Sequence, residues 1–155
     1  MAANPQTALD NTGVAILTEL QRDGRLSYSE LARRVGLSTP AVIERVRKLE
    51  DAGVIEGYGV RVNLEALGYG VIALIEVKTD PTRYKKMLEF AEATREIREC
   101  YFVTGESSFV TRVVCRSITE LQALIERLSM FGSTRTSVVL SSPIIKESFD
   151  LEVRP

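Results

Sequence analysis

The sequence predicts an α+β protein: an N-terminal winged helix-turn-helix domain followed by a C-terminal ferredoxin-like βαββαβ domain. Three observations carry that prediction. Residues 27–57, SYSELARRVGLSTPAVIERVRKLEDAGVIEG, read as two short amphipathic helices joined by a tight turn and followed by a glycine-punctuated strand. From residue 71 on, β-rich runs and amphipathic helical runs follow in the order β-α-β-β-α-β. Between them NLEALGYG, residues 63–70, offers a short connection with two glycines and room for one helical turn. The expected limits are therefore 7–62 for the first domain (motif about 27–50), 63–70 for the linker and 71–150 for the second domain.

The first helix is expected over about residues 12–22, with Ile16, Leu17 and Leu20 on one side and Asp23-Gly24 as its stop. Ser27 and Glu30 form a capping box for the second helix, whose inner face is Leu31, Ala32 and Val35 and whose end is Gly36. Ser38 is the N-cap of the third, with Pro40 tolerated in the first turn. Val42, Val46 and Leu49 fall on one stripe at 100° per residue. Residues 54–63, VIEGYGVRVN, read as a short strand interrupted by Gly57 and Gly59, one side of a wing.

In the second half VIALIEVK, residues 71–78, is nearly continuous in apolar character and suits a central strand. Pro81 opens a helix to about Glu96 with Tyr84, Leu88 and Ala91 on one face. Residues 97–104 and 109–115 flank Gly105-Glu106-Ser107-Ser108 as a hairpin. Ser117 and Glu120 cap a helix through Leu121, Leu124, Ile125 and Leu128, which Gly132 closes. Residues 134–145 supply a fourth strand, placed at an edge by Pro143. With both helices on one face of the sheet, Ile72, Leu74, Phe102, Val110 and Val113 leave apolar surface over. A sheet-to-sheet homodimer is the expected cover.

The chain has 155 residues, 45% hydrophobic and 26% charged, the balance of a globular protein rather than a disordered one. No apolar run approaches the roughly 18 residues that span a bilayer, so no membrane partner is expected. MAANPQTALDN has neither a basic start nor a long apolar segment, and a cytoplasmic location is the expectation. With no histidine and only Cys100 and Cys115, no metal or cofactor site is expected. The two cysteines read as small buried apolar side chains, close to each other diagonally if the hairpin pairs.

The outward side of the third helix carries the chemistry. Pro40, Glu44, Arg47 and Lys48 point away from the apolar stripe, and Arg45 sits at its edge, where a long side chain can reach a phosphate. Ser38 and Thr39 offer hydroxyls and helix-start N–H groups, and Arg25 lies in the loop before the second helix. Small residues at the N-terminal end with cations beyond suit the major groove of duplex DNA; a surface helix with three solvated cations is the plainer alternative. Residues 1–60 hold seven Lys/Arg against eight Asp/Glu, so local placement, not net charge, must supply the attraction.

The segment from Leu9 to Tyr58 resembles the N-terminal half of the Lrp/AsnC (leucine-responsive, feast/famine) family. The likeness rests on Leu9-Asp10, Ile16-Leu17, Gly24-Arg25, Glu30-Leu31-Ala32, Gly36-Leu37-Ser38, Val42, Arg45-Val46, Leu49-Glu50, Gly53-Val54-Ile55 and Gly57-Tyr58. Gly13 departs from the family, which usually has an aspartate there. The second half resembles the family's effector-binding and oligomerisation (RAM-type) domain. The resemblance implies dimers, commonly assembled four to a ring as octamers, and a small amino-acid effector held between dimers. The matching loop is Gly105, Glu106, Ser107 and Ser108, with Thr134, Thr136 and Ser137 near the facing strand. Where family members often carry an aspartate this chain has Ser108, leaving Glu106 to supply a charge for an α-ammonium group. A plain hairpin turn is the alternative there.

The function these readings imply is that of a sequence-specific transcriptional regulator of the Lrp/AsnC type, acting on double-stranded DNA at the nucleoid. The alternative on the same surfaces is an effector-independent architectural protein that bends or wraps DNA. An enzyme is not expected, since the sequence offers no histidine, nucleotide-binding glycine loop or nucleophile–base pair.

Overall fold

The computed structural model describes residues 9–146, 148, 149 and 151; the expected domain limits at 7 and 150 lie outside them. Two units pack separately, residues 9–61 with the described residues from 144 on, and Val62–Pro143. The described residues after Pro143 pack with the first unit.

In the first unit α1 (Asn11–Arg22) starts at Asp10, whose carboxylate accepts the Gly13 N–H at 2.7 Å. The cap three residues upstream does what an acidic residue in the first turn would do, so Gly13 does not loosen the start. Before α2 (Tyr28–Val35) Ser27 accepts the Glu30 N–H at 3.2 Å. Glu30 makes its side-chain bonds to Arg33 and Arg34 at 2.7 and 3.0 Å, so the expected capping box is half made. Gly36, at φ 69°, ends the helix in the left-handed region that an L side chain resists. Ser38 caps α3 (Thr39–Asp51) through the Ala41 N–H. Val42, Val46 and Leu49 meet Ile16, Leu17, Leu31 and Ala32 in one core.

The expected wing strand over 54–63 does not form: no strand occurs between α3 and Val71. A strand needs a neighbour for its backbone groups, and this segment has none among the described residues.

The second unit follows the expected βαββαβ order. Its strands are β1 (Val71–Thr79), β2 (Ile97–Phe102), β3 (Phe109–Cys115) and β4 (Gly132–Val138), arranged β2-β3-β1-β4 and paired antiparallel throughout. β1 is central and β4 lies at an edge, as the composition of each predicts. β4 spans Gly132–Val138 rather than 134–145, stopping well before Pro143.

A 3-10 turn, Pro81–Arg83, precedes α4 (Tyr84–Ala93). Met87 and Ala91 face the sheet with Tyr84, while Leu88, expected on that face, is exposed. α5 (Ile118–Ser129) buries Leu121, Leu124 and Leu128. Gly132 is not its cap but the first residue of β4, pressed against the backbone of β1.

Alternation sorts the sheet. Ala73, Ile75, Val77, Phe109, Val113 and Cys115 face the helices. Ile72, Leu74, Val110 and Val114 fall at the intervening positions, on the open face. Val113 is thus inward, while Phe102 touches Tyr84 and Phe109 on the helix side yet stays 66% exposed, so it adds apolar surface there and not on the open face. The cysteines are free and not neighbours: Cys100 pairs with Thr111, four positions before Cys115, or about 13 Å along the strand.

Candidate nucleic-acid interface and ligand loop

The stripe that buries Val42, Val46 and Leu49 fixes which side of α3 is offered to solvent. Pro40, Glu44, Arg47 and Lys48 are exposed on it, with Thr39 and Arg45 half-buried at its margins. The cations are not equivalent. Arg45 makes two bonds of 2.8 Å to the carboxylate of Asp10 and so ties α3 to the cap of α1. Lys48 lies 2.7 Å from Glu44 one turn back. Arg47 has no ion pair among the described residues. The Ser38 hydroxyl is engaged by its own helix, and Arg25 stands exposed in the α1–α2 turn, its N–H bonded to Asp23.

Asp10 is placed to report on this arrangement. Its carboxyl is held below the ordinary 3.8, first by the Gly13 N–H and then by Arg45. A depressed carboxyl stabilises the fold above its unfolded value, and that contribution fades as pH falls through the lower folded value. Asp10→Ala is expected to cost about 1 kcal/mol at pH 7, the usual worth of an N-cap. Urea unfolding of both proteins at pH 7 and pH 3 checks it, and the gap should narrow in acid.

The hairpin loop turns at Gly105, φ 113°, and its residues diverge in role. The Ser108 hydroxyl donates to the Thr79 carbonyl at 3.0 Å and lies 3.4 Å from the Tyr84 hydroxyl, pinning the loop to β1. Ser107 points the other way and donates to Glu76 at 2.8 Å. Glu76 also takes the Arg135 guanidinium, two contacts of 2.7 Å, across the β1–β4 ladder. A cavity of about 140 Å³ opens there between Glu106, Ser107, Thr134 and that ion pair. Thr136, opposite Ile75, and Ser137, opposite Leu74, do not line it.

Residues 9–56 match the winged helix-turn-helix DNA-binding family, and residues 72–149 match the Lrp/AsnC ligand binding domain. The chain is 41% identical over 141 residues to the uncharacterized HTH-type transcriptional regulator YezC of Bacillus subtilis, covering 91% of this chain and 100% of that one. It is 38% identical over 138 residues to the HTH-type transcriptional regulator LrpA of Mycobacterium tuberculosis, covering 87% and 92%. The chain belongs to the Lrp/AsnC family. Among solved structures, the feast or famine regulatory protein Rv3291c from M. tuberculosis, complexed with L-methionine, matches with a TM-score of 0.84 at 35% identity. That match covers 91% of this regulator and 98% of the other chain.

The regulator is a DNA-binding transcriptional regulator of the Lrp/AsnC type, not an enzyme. Among the described residues no helix is long and apolar enough to cross a membrane. Sequence reasoning missed Glu76 and Arg135 beside the loop. The signal was available: an acid inside the apolar run VIALIEVK and a cation in TRTSVV fall on one open face once β1 and β4 are paired. Arg135 and Ser107 hold the Glu76 carboxyl below the ordinary carboxylate range, so a carboxylate stands there beside Glu106.

Proposed function

We propose that the regulator reads DNA with the outward side of α3 and binds a small amino acid in the cavity beside Glu106. The observation that carries the first part is the division of α3 itself: one side is buried in the core, and the other presents Thr39, Pro40, Glu44, Arg47 and Lys48 together. Ser38 adds its helix-start N–H groups, and Arg25 and Arg45 flank the helix as phosphate contacts, Arg45 after leaving Asp10.

The open sheet face, with Ile72, Leu74 and Val110, supports a homodimer through paired sheets, and dimers joined into an octamer would tether several readers. Tethering answers the absence of a basic surplus, because linked half-site contacts multiply. The cytoplasm, at the nucleoid, is where such a reader acts. Glu106 and Ser107 with Thr134 line the cavity and support the effector site, while Gly105 and Ser108 shape the loop beside it; Glu106 and Glu76 suit an α-ammonium group, Arg135 a carboxylate. Thr136 and Ser137 stand outside the cavity and serve the strand instead.

The test is affinity for a promoter fragment and for random DNA, with and without a panel of amino acids, alongside the mass of the assembly in solution. A preference for one fragment that an amino acid alters supports regulation by an effector. Equal affinity for both, unchanged by any of them, supports the architectural alternative. Glu106→Gln is expected to weaken the amino-acid response severalfold while leaving the melting temperature in place. A response equal to wild type puts the ligand elsewhere.

A further inference from the structure

We propose that the C-terminal segment at Phe149 and Leu151 is a strap that docks in an apolar groove of the DNA-binding unit, attaching that unit to the chain a second time. The polypeptide passes from the first unit to the second after Arg61 and returns to the first after Pro143. The return has a specific anchor. Gln21, near the end of α1, accepts the Phe149 N–H at 2.7 Å and donates to the Phe149 carbonyl at 3.5 Å. A side-chain amide offers one donor and one acceptor side by side, so it grips a single extended residue as a neighbouring strand does.

Two residues on, Leu151 is half-buried and packs on the core of the first unit. It lines a groove of about 440 Å³ whose walls include Leu17, Leu20, Val54, Ile55 and Tyr58. Phe149 borders the same groove but stays largely exposed, so its backbone makes the anchor and the Leu151 side chain fills the seat.

The consequence is positional. With a single link, residues 54–63, which form no strand, would leave the reader free to swing on extended backbone. A docked strap adds a second attachment and narrows that range, and because it is tethered it competes with water at a high effective concentration. This holds whether or not an amino acid binds.

The experiment places a site-specific protease sequence in the exposed segment around Val60 of the full chain, cuts it, and follows the fragments by size-exclusion chromatography. With the strap intact, the N-terminal fragment is expected to co-elute with the remainder, which carries the strap. With residues 148–155 deleted, or with Gln21→Ala and Leu151→Asp combined, it is expected to separate. Separation with the strap intact, or co-elution without it, overturns the proposal. A second measurement guards against a variant that simply misfolds: a labelled peptide of residues 144–155 should bind the uncut deletion protein and be excluded from the full-length chain. Gln21→Ala in the deletion protein should weaken the peptide roughly tenfold, as expected for one lost amide grip. Equal peptide binding to deleted and full-length protein also overturns it.

Discussion

An Arg47→Ala, Lys48→Ala double variant is expected to bind DNA roughly 10- to 100-fold more weakly per reader, with the assembly unchanged. Both side chains stand on the exposed side of α3, and neither contributes to the buried stripe of Val42, Val46 and Leu49, so the fold has no reason to respond. Each cation that neutralises a phosphate contributes about 0.9 to the slope of log affinity against log salt, so two removed per reader should flatten it by nearly 2. Lys48 pays part of its attraction to Glu44, 2.7 Å away, which makes Glu44→Ala the matching control. Removing that carboxylate frees Lys48 and lowers repulsion, so affinity for random DNA should rise while discrimination between fragments falls. Fluorescence anisotropy across a salt series, with the mass of the assembly checked beside it, measures all of this. A double variant with wild-type affinity and slope would remove α3 from its role.

What the sequence revealed and what it concealed divide along the range of the interactions. The caps at Ser27, Ser38 and Ser117 and the left-handed end at Gly36 are set within four residues, and each stands where spacing places it. The same holds for the buried stripe of α3, which made the candidate reader legible. Longer-range features were harder. Met87 rather than Leu88 packs inward with Tyr84 and Ala91; both lie within one turn of that face, and the spacing within Tyr84–Ala93 does not choose between them. Arg45 is a helix-edge cation by spacing, yet its partner Asp10 is 35 residues away. Glu76 and Arg135 become neighbours only through the register of β1 on β4. The wing failed for another reason: 54–63 has strand-like composition, but composition supplies no second strand.

Gly132→Ala is expected to be the most damaging single methyl group in the second unit, costing about 3 kcal/mol, the upper part of the range for overpacking. An added Cβ would stand 2.0 Å from the Lys78 carbonyl oxygen, 2.9 Å from its carbon and 3.2 Å from the Thr79 Cα. All three atoms belong to the backbone of the central strand, so no rotamer change relieves them and β4 must move. Its displacement would loosen the Thr79 hydroxyl bond to the Phe131 carbonyl, now 2.6 Å, and the register that brings Arg135 to Glu76. Gly105→Ala makes the contrast. Its φ of 113° penalises an L side chain, but nothing lies within 4 Å of the added methyl, so the cost is strain alone, about 1 kcal/mol. The two cores are distinct, so thermal unfolding followed by calorimetry should show Gly132→Ala lowering the transition of the sheet unit while that of α1–α3 stays nearly in place. Equal damage from the two glycine variants would mean that β4 yields easily at its first residue. In that case the cavity beside Glu106, which β4 forms with Thr134 and Arg135, could not hold a fixed shape for a ligand.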